Sequence, residues 1–296
     1  MLLRADRQPA CQGGFAAPQK RLRGCSCGTG LQRESEEVMF FTADGQSDTG
    51  RVRDHNEDTF RVASKQGLFA VADGMGGHAA GEVASALAIE ALFSHFLAEE
   101  SESLECSAEA LQQAVSVANR AIFSDAQEHE ERKGMGTTLT FICCAETGGY
   151  LGHVGDSRAY RLRGEVLTQL TRDHTWVNMQ VRAGVISQEE AANARMRHVL
   201  VKALGIEPEI EADVIPIDVM PHDRFLLCSD GLSDLVDEDG LKSVLAAKGP
   251  PAETAARLVE LANALGGKDN ITAVVIDCHE ARWKSTLMTA VNKLRR

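Results

Sequence analysis

The order of strand-like and helix-like segments is the feature that most limits how this chain can fold. From Met39 onward, short apolar or alternating runs bounded by Gly and Asp predict strands, whereas long runs with apolar residues at helical spacing predict helices. The predicted strands are grouped and joined by short turns instead of alternating one by one with helices. This order is typical of antiparallel sheets with helices packed outside them.

The predicted strands are residues 40–43, 59–63, 68–72, 137–145, 150–154, 159–163, 166–170, 212–217, 224–228 and 271–277. The predicted helices are residues 79–99, 108–128, 238–247 and 252–265, with two short helices inside 173–195 that Gly184 separates. Because the first two helices follow each other directly, we expect them to form an antiparallel pair.

Charge divides the chain into three predicted parts. Residues 1–33 hold six Lys or Arg and only one acidic residue, although the whole chain has a formal net charge of −12. We therefore expect a disordered basic extension over 1–38, a globular domain over 39–280 and a basic tail over 281–296. Met39 stands directly before the first predicted strand, so a mis-assigned start upstream of it remains an alternative for the extension.

Composition argues against several classes of partner. The acidic net charge and an aromatic content of only 5% do not suit nucleic-acid binding, which needs basic and base-stacking surfaces. No run of 18 apolar residues occurs, so no membrane-spanning helix is expected. Four of the cysteines lie in apolar runs, and none of the eight shows zinc-site spacing, which favours a reducing cytoplasm: Cys143, Cys144, Cys228 and Cys278.

Three aspartates stand at the ends of predicted apolar strands. Asp73-Gly74 follows the strand 68–72, Asp230-Gly231 follows 224–228 after one residue, and Asp269 precedes 271–277. A carboxylate fixed at the end of a buried strand is well placed to hold a cation, and oxygen ligands favour Mg²⁺ or Mn²⁺ over zinc.

The same dipeptide also has a plain structural interpretation. Asp-Gly is common in turns, and we interpret Asp44-Gly45 and Asp239-Gly240 in that way. For the three strand-end aspartates, metal binding and simple turns are therefore about equal alternatives when each is taken alone. The charged segment 51–58 is typical of a solvated loop, and Gly155-Asp156 alone is typical of a hairpin bend.

The combination of short segments is more specific than any of them. In this order and at these spacings, the chain resembles the PPM family, the PP2C-type metal-dependent serine/threonine protein phosphatases, and in particular its bacterial branch. The resemblance covers about residues 42–278. The matching segments are GRVRDHNED at 50–58, ADGMGGH at 72–78, GMGTT at 134–138, VGDSR at 154–158, CSDGL at 228–232 and KDNIT at 268–272.

This resemblance implies a fold and an activity. The fold would be an α+β, four-layer α-β-β-α sandwich of two packed antiparallel sheets flanked by helices, with a small helical flap at about 172–204. The domain 39–280 would be a protein serine/threonine phosphatase dependent on Mn²⁺ or Mg²⁺. It would hydrolyse phosphoserine and phosphothreonine by in-line attack of a metal-bridged hydroxide on phosphorus, without a phosphoenzyme.

The resemblance also implies roles for particular residues. Asp73 would bridge two cations, and the Gly74 carbonyl would complete the coordination of one of them. Asp230 and Asp269 would bind the other cation, and Glu57 would reach its metal directly or through water. Asp156 would join Asp230 at a third, weaker metal, and Arg53 would clamp the phosphoryl oxygens and act with the metal aspartates in catalysis.

One role is left without a residue. Many eukaryotic family members have a histidine directly after the metal-binding Asp-Gly pair, proposed to protonate the leaving oxygen, but this chain has Met75 there. His78 lies nearby, and a structural role for it is favoured over that function. In the flap, Trp176, Met179 and Arg182 either contact a phosphopeptide or form the small core of the flap itself, and the second alternative is favoured.

The expected partners follow from the expected activity. They are phosphoserine and phosphothreonine proteins, together with a cognate Ser/Thr kinase whose signalling this enzyme would reverse. We expect a cytoplasmic monomer that binds neither nucleic acid nor membrane.

Overall fold

A computed structural model describes residues 39–280 except 77–79, 98–103, 105, 146–147, 193, 195 and 248. The predicted extension 1–38 and tail 281–296 lie outside the described residues, as does His78. Within the described part, the strands form two sheets whose neighbouring strands all run antiparallel.

The first sheet consists of β1 (Met39–Asp48), β7 (Arg158–Arg163), β8 (Val166–Gln169), β10 (Arg224–Cys228) and β11 (Ile271–Glu280). The second consists of β2 (Asp58–Ala63), β3 (Leu68–Met75), β4 (Gly136–Thr137), β5 (Leu139–Ala145), β6 (Gly148–Val154) and β9 (Asp213–Ile217). The strand order is β1-β11-β10-β7-β8 in the first sheet and β2-β3-β5-β6-β9 in the second, where the short β4 pairs with β3.

Seven α-helices accompany the sheets in the described residues. They are α1 (Ala80–Leu97), α2 (Ala108–Glu128), α3 (Trp176–Arg182), α4 (Gln188–Ala192), α5 (Asp230–Ser233), α6 (Glu238–Ala246) and α7 (Pro251–Ala264). Ser107 caps α2, since its side chain accepts a hydrogen bond from the Ala110 N–H. The predicted contact between α1 and α2 is confirmed.

Side chains alternate between the two faces of each central strand, and they form three hydrophobic cores. In β3, Leu68 and Ala70 pack against α1 and α2, whereas Phe69 points to the opposite face, between the sheets. In β10, Leu226 packs toward α6 and α7, and Leu227 again lies between the sheets. Because successive side chains of a strand point to opposite faces, each central strand contributes to two cores. The four-layer α-β-β-α sandwich is therefore confirmed.

Three turn interpretations were wrong. Asp44-Gly45 lies inside β1, paired with Val275 and Val274, because the edge of β11 supplies hydrogen bonds that a local turn signal does not anticipate. Asp239-Gly240 lies in α6, which starts after the cap Asp237. Gly155-Asp156 does not close a hairpin, since β6 and β7 belong to different sheets and this segment crosses between them.

The predicted strand 137–145 is interrupted at Thr138. Thr137 belongs to β4, which pairs with the end of β3, and β5 begins at Leu139. The Thr138 N–H donates to the Asp73 carbonyl at 2.9 Å, so this break ties the chain to the end of β3.

One described helix, α1, is long and apolar enough to cross a membrane by length and composition. It contains Glu82 and Glu90, and Ala84, Ala88 and Leu92 are fully buried in the core that it shares with α2 and β3. This is the pattern of a core helix.

Candidate active site

One cavity of about 900 Å³ lies at the edge of the sandwich where β3 and β10 end and β11 begins. The five chain segments that carry the predicted site residues converge there. All seven predicted residues line it: Arg53, Glu57, Asp73, Gly74, Asp156, Asp230 and Asp269.

Asp73 is held through hydrogen bonds to its main-chain groups. It lies within β3 opposite Asp58 of β2, and its N–H donates to the Thr138 hydroxyl at 2.9 Å. The Thr137 hydroxyl donates to the Asp73 carbonyl, also at 2.9 Å. Since both peptide groups of Asp73 are fixed in this way, its carboxylate has a set direction at the cavity wall.

Gly74 permits a close approach between β3 and the start of α1. A Cβ atom at Gly74 would overlap the carbonyl oxygen of Gly81, and a Cβ at Gly81 would overlap the Glu57 carboxylate. The Gly74 N–H donates to the Glu57 carbonyl at 3.1 Å. Gly74 and Gly81 thus allow Glu57 to lie against Asp73-Gly74. A larger residue at either glycine position would block this approach.

Asp230 and Asp269 approach from the other sheet. Asp230 is the first residue of α5, and a Cβ at the following Gly231 would overlap the Asn270 carbonyl oxygen. Asp269 precedes β11, and its Oδ2 accepts a hydrogen bond of 2.8 Å from Arg53 Nη2. The Arg53 side chain is half exposed, so this ion pair lies at the cavity mouth.

Asn270 joins the segment 49–57 to this edge, a role that the sequence prediction missed. Its Oδ1 accepts from the Glu57 N–H at 2.8 Å, and its Nδ2 donates to the carbonyl oxygens of Thr49 and His55. The segment 51–58, predicted as a solvated loop, is thereby fixed against the end of β11. The motif Lys268-Asp269-Asn270 was quoted in the sequence, but only the three-dimensional contacts reveal what Asn270 binds.

The carboxylates repel one another. Burial, and then the neighbouring Asp58 and Asp230, raise the pKa of Asp73 well above its usual range. Burial likewise raises the pKa of Asp58 to about 7 and, together with Asp230, the pKa of Asp156 to about 8. Burial also raises the pKa of Glu57. The cavity therefore concentrates acidic groups, and the Arg53 guanidinium bound to Asp269 offsets only part of their charge.

These residues fit divalent cations. The Ser229 hydroxyl donates to Asp58 Oδ2 at 2.7 Å, yet the buried Asp58 Oδ1 has no hydrogen-bond partner among the described residues. Buried polar oxygens are normally satisfied, so an unpaired carboxylate oxygen on the strand residue opposite Asp73 indicates a ligand. Every donor is a carboxylate or carbonyl oxygen, which suits Mg²⁺ or Mn²⁺.

The flap reaches the same cavity through a segment that the prediction did not name. His198 Nδ1 lies 3.4 Å from Asp234 Oδ2 and 3.8 Å from Asp230 Oδ2, and Arg197 Nη2 lies 3.5 Å from Asp234 Oδ2. Asp234 follows Asp230 by four residues and so lies on the same face of this turn. Burial raises its pKa. Spacing from Asp230 is the signal by which Asp234 could have been found.

Comparison with known proteins identifies the family. The family model described as protein phosphatase 2C matches residues 49–266, more than half of the chain. The serine/threonine phosphatase stp of Listeria innocua is 38% identical over 241 residues, covering 79% of this chain and 95% of the relative. The chain belongs to the protein phosphatase 2C family.

Solved structures agree with this assignment. The catalytic domain of the serine/threonine phosphatase PstP, solved with two manganese ions, is 41% identical, with a TM-score of 0.72 over 82% of this chain and all of that one. Stp1 of Staphylococcus aureus is 34% identical, with a TM-score of 0.75 over 83% of this chain and 98% of that one. This phosphatase is therefore a bacterial-type serine/threonine phosphatase that acts on phosphoproteins, and the expectation of divalent cations agrees with the PstP structure.

In this phosphatase, the favoured interpretation of the flap core was wrong. Trp176 and Met179 are 38% and 45% exposed, and Arg182 is exposed as well, so they form no core. None of the three lines the cavity. In these two short helices, Val177 of α3 and Ala191 of α4 are buried instead.

Proposed function

We propose that the carboxylate cavity of this phosphatase hydrolyses phosphoserine and phosphothreonine in proteins. Asp73, Asp230 and Asp269 would hold two divalent cations, Mn²⁺ or Mg²⁺, with Glu57 and the Gly74 carbonyl completing their surroundings. The observation that carries this proposal is the convergence of Asp73, Asp156, Asp230 and Asp269 on one cavity, where burial raises the pKa of Asp73 and of Asp156. Asp156 and Asp230 would hold a third, weaker cation.

When bound, two divalent cations lower the pKa of a water molecule and neutralise the charge that develops on the phosphoryl group. The remaining tasks fall to the protein. Arg53 would bind the non-bridging phosphoryl oxygens. A guanidinium has five N–H donors, so its bond to Asp269 leaves others for phosphate.

The fixed main chain around Asp73 and the Asn270 hydrogen bonds would orient these groups before substrate arrives. Such preorganisation suits in-line attack of water on phosphorus, in which the seryl or threonyl oxygen leaves and takes up a proton. The proposed route involves no phosphoenzyme. No residue is assigned as the proton donor, because Met75 has no titratable group.

We further propose that residues 39–280 form the phosphatase domain, with 1–38 as a basic extension, 172–204 as the flap and 281–296 as a basic tail. The match of the family model to 49–266 supports the core of this division. A cognate Ser/Thr kinase, a monomeric state and a cytoplasmic location complete the proposal. Five free cysteines in the described residues suit a reducing compartment.

The decisive experiment is hydrolysis of a phosphothreonine peptide by the full-length protein with Mn²⁺, compared with Asp230→Asn. We expect Asp230→Asn to lower kcat/KM by about a thousandfold, or ~4 kcal/mol, because it removes a ligand charge from both the tight and the weak metal sites.

Asp237→Asn is the matched control. Asp237 caps α6 outside the cavity, and Asn is an equally good cap, so activity should stay within about twofold. Mn²⁺-dependent turnover that survives in Asp230→Asn would contradict the proposal.

A further inference from the structure

The segment that carries Asp156 is held by a histidine from the base of the flap. Val154, Gly155 and Asp156 lead from β6 toward β7 in the other sheet. The Gly155 N–H donates to His174 Nδ1 at 3.1 Å, and the His174 N–H donates to the Gly155 carbonyl at 2.7 Å. Both peptide groups of the residue before Asp156 are thus bound to one residue.

The His174 ring is fixed on its other side as well. Its Nε2 lies 3.2 Å from Asp213 Oδ2, and the ring stacks on that of His153 with centroids 4.8 Å apart. His174 is only 8% exposed. Since Nδ1 accepts a backbone N–H, the ring proton must reside on Nε2, from which it donates to Asp213.

Gly155 occupies a position that only glycine can fill. Its φ is +109°, and a Cβ there would overlap the Thr138 side chain. Because glycine is free to adopt many backbone conformations, its position depends on the bonds that its peptide groups make. The two bonds to His174 therefore set the position of Gly155 and of the next residue, Asp156.

We propose that His174 is a positioning residue for the third cation: through Gly155 it holds Asp156 where it can share a metal with Asp230. This inference rests on the proposed role of Asp156 as a metal ligand. His174 also belongs to the flap base, where its carbonyl accepts from the Val201 N–H at 2.9 Å and Thr175 pairs with Leu200. The contact between His174 and Gly155 therefore joins the two chain segments of the flap base, around Thr175 and Leu200, to the proposed third metal site.

The test is Mn²⁺ binding by isothermal titration calorimetry on the full-length protein, with two nearly isosteric variants. His174→Asn keeps an acceptor at the δ position, within reach of the Gly155 N–H. His174→Gln moves its polar atoms toward Asp213 and loses that acceptor. Altering a group that orients a metal ligand typically costs about 10–100-fold in affinity.

We expect His174→Gln to weaken the third Mn²⁺ site about tenfold and to leave the two tighter sites within twofold. His174→Asn should restore the third site to within about threefold of wild type. Equal weakening in both variants, or none in His174→Gln, would overturn the inference.

Two further measurements keep the result interpretable. Asp156→Asn should abolish the weak site; if it does not, the metal assignment of Asp156 fails and this inference fails with it. If Asp156→Asn abolishes the site while His174→Gln preserves it, only the inference fails. In the unmutated protein, nitrogen-15 NMR of the histidine rings should show the Nε2–H tautomer for His174, and the Nδ1–H tautomer would also overturn it.

Discussion

Two groups of aspartates in this phosphatase differ in whether arginines bind them. Beside β7 and β10, Arg163 donates to both oxygens of Asp223 at 2.7 Å, and Arg161 and Arg163 both bind Asp218. By contrast, Asp73 and Asp156 in the cavity, and Asp58 opposite Asp73, form no ion pair with an arginine in the described part of the chain.

The pKa values record this difference. Asp218 is exposed, and hydrogen bonds from Arg163 and Arg161 lower its pKa to about 2. Asp58 and Asp156 are buried without such bonds from a described arginine, and burial raises the pKa of Asp58 to about 7 and that of Asp156 to about 8. The chain supplies its own cations where a carboxylate is structural. Among the described residues, it provides no such ion pair for Asp73 or Asp156, where a cation from solution is proposed to bind.

Removing the arginine that binds a buried aspartate should have the largest effect on stability. Asp223 is 1% exposed, and without Arg163 the only described group that still donates to its carboxylate is the Met220 N–H, at 2.9 Å. We expect Arg163→Ala to lower the free energy of unfolding by about 3 kcal/mol, because it leaves a buried charge unpaired. Urea denaturation measures this.

The matched control is Arg257→Ala, which removes an exposed pair with Glu253 at 3.5 Å. Exposed pairs contribute little, so this variant should lose less than about 1 kcal/mol. Neither variant should change the activity of the folded protein. An equal loss of unfolding free energy in the two variants would contradict the prediction, because the buried pair would then contribute no more than a surface pair.

The carboxyls without an arginine, Asp58 and Asp156, should make the stability of the metal-free protein depend on pH. In metal-free protein, Asp58 and Asp156 keep protons near neutral pH that they lose on unfolding, since unfolded aspartate titrates near 3.8. The folded state then binds more protons than the unfolded state. Stability must therefore fall as pH rises, by up to about 1.4 kcal/mol per pH unit for each such group.

The window from about pH 6.5 to 8 isolates these carboxyls from His153. Burial lowers the pKa of His153 to about 3 from a usual value of 6.5, so its destabilising effect is confined to lower pH. We expect urea midpoints in EDTA to fall across this window and the fall to be smaller in Asp58→Asn. Saturating Mn²⁺ should reverse the slope, because the metal binds deprotonated carboxylates. A metal-free midpoint that rises with pH would contradict the account.

Much of this site could be predicted because strand ends are visible in a sequence. Apolar runs mark β3, β10 and β11, and each strand carries an aspartate at or beside the same edge of the sandwich. The continuous apolar runs in these strands also predict sheets that are buried on both faces. That Asp73, Asp230 and Asp269 meet at one cavity could therefore be predicted before any contact was known.

Other features depend on long-range contacts that local patterns do not encode. Asp44-Gly45 has the local pattern of a turn, but ten residues of β1 pair with β11 and keep the strand extended. Asn270 and His174 act through hydrogen bonds to main-chain groups far away in sequence. The exposed Trp176 shows the reverse case, since a large apolar residue in a small flap need not be buried.

The central claim is that the cavity carboxylates of Asp73, Asp156, Asp230 and Asp269 are cation ligands, and anomalous diffraction tests it most directly. Crystals of the full-length protein grown with Mn²⁺ would be measured at the manganese edge. The account predicts two strong peaks within coordination distance of Asp73, one of them also contacting Asp230 and Asp269, and a weaker third peak beside Asp156. Strong peaks elsewhere, with none at Asp73, would contradict it.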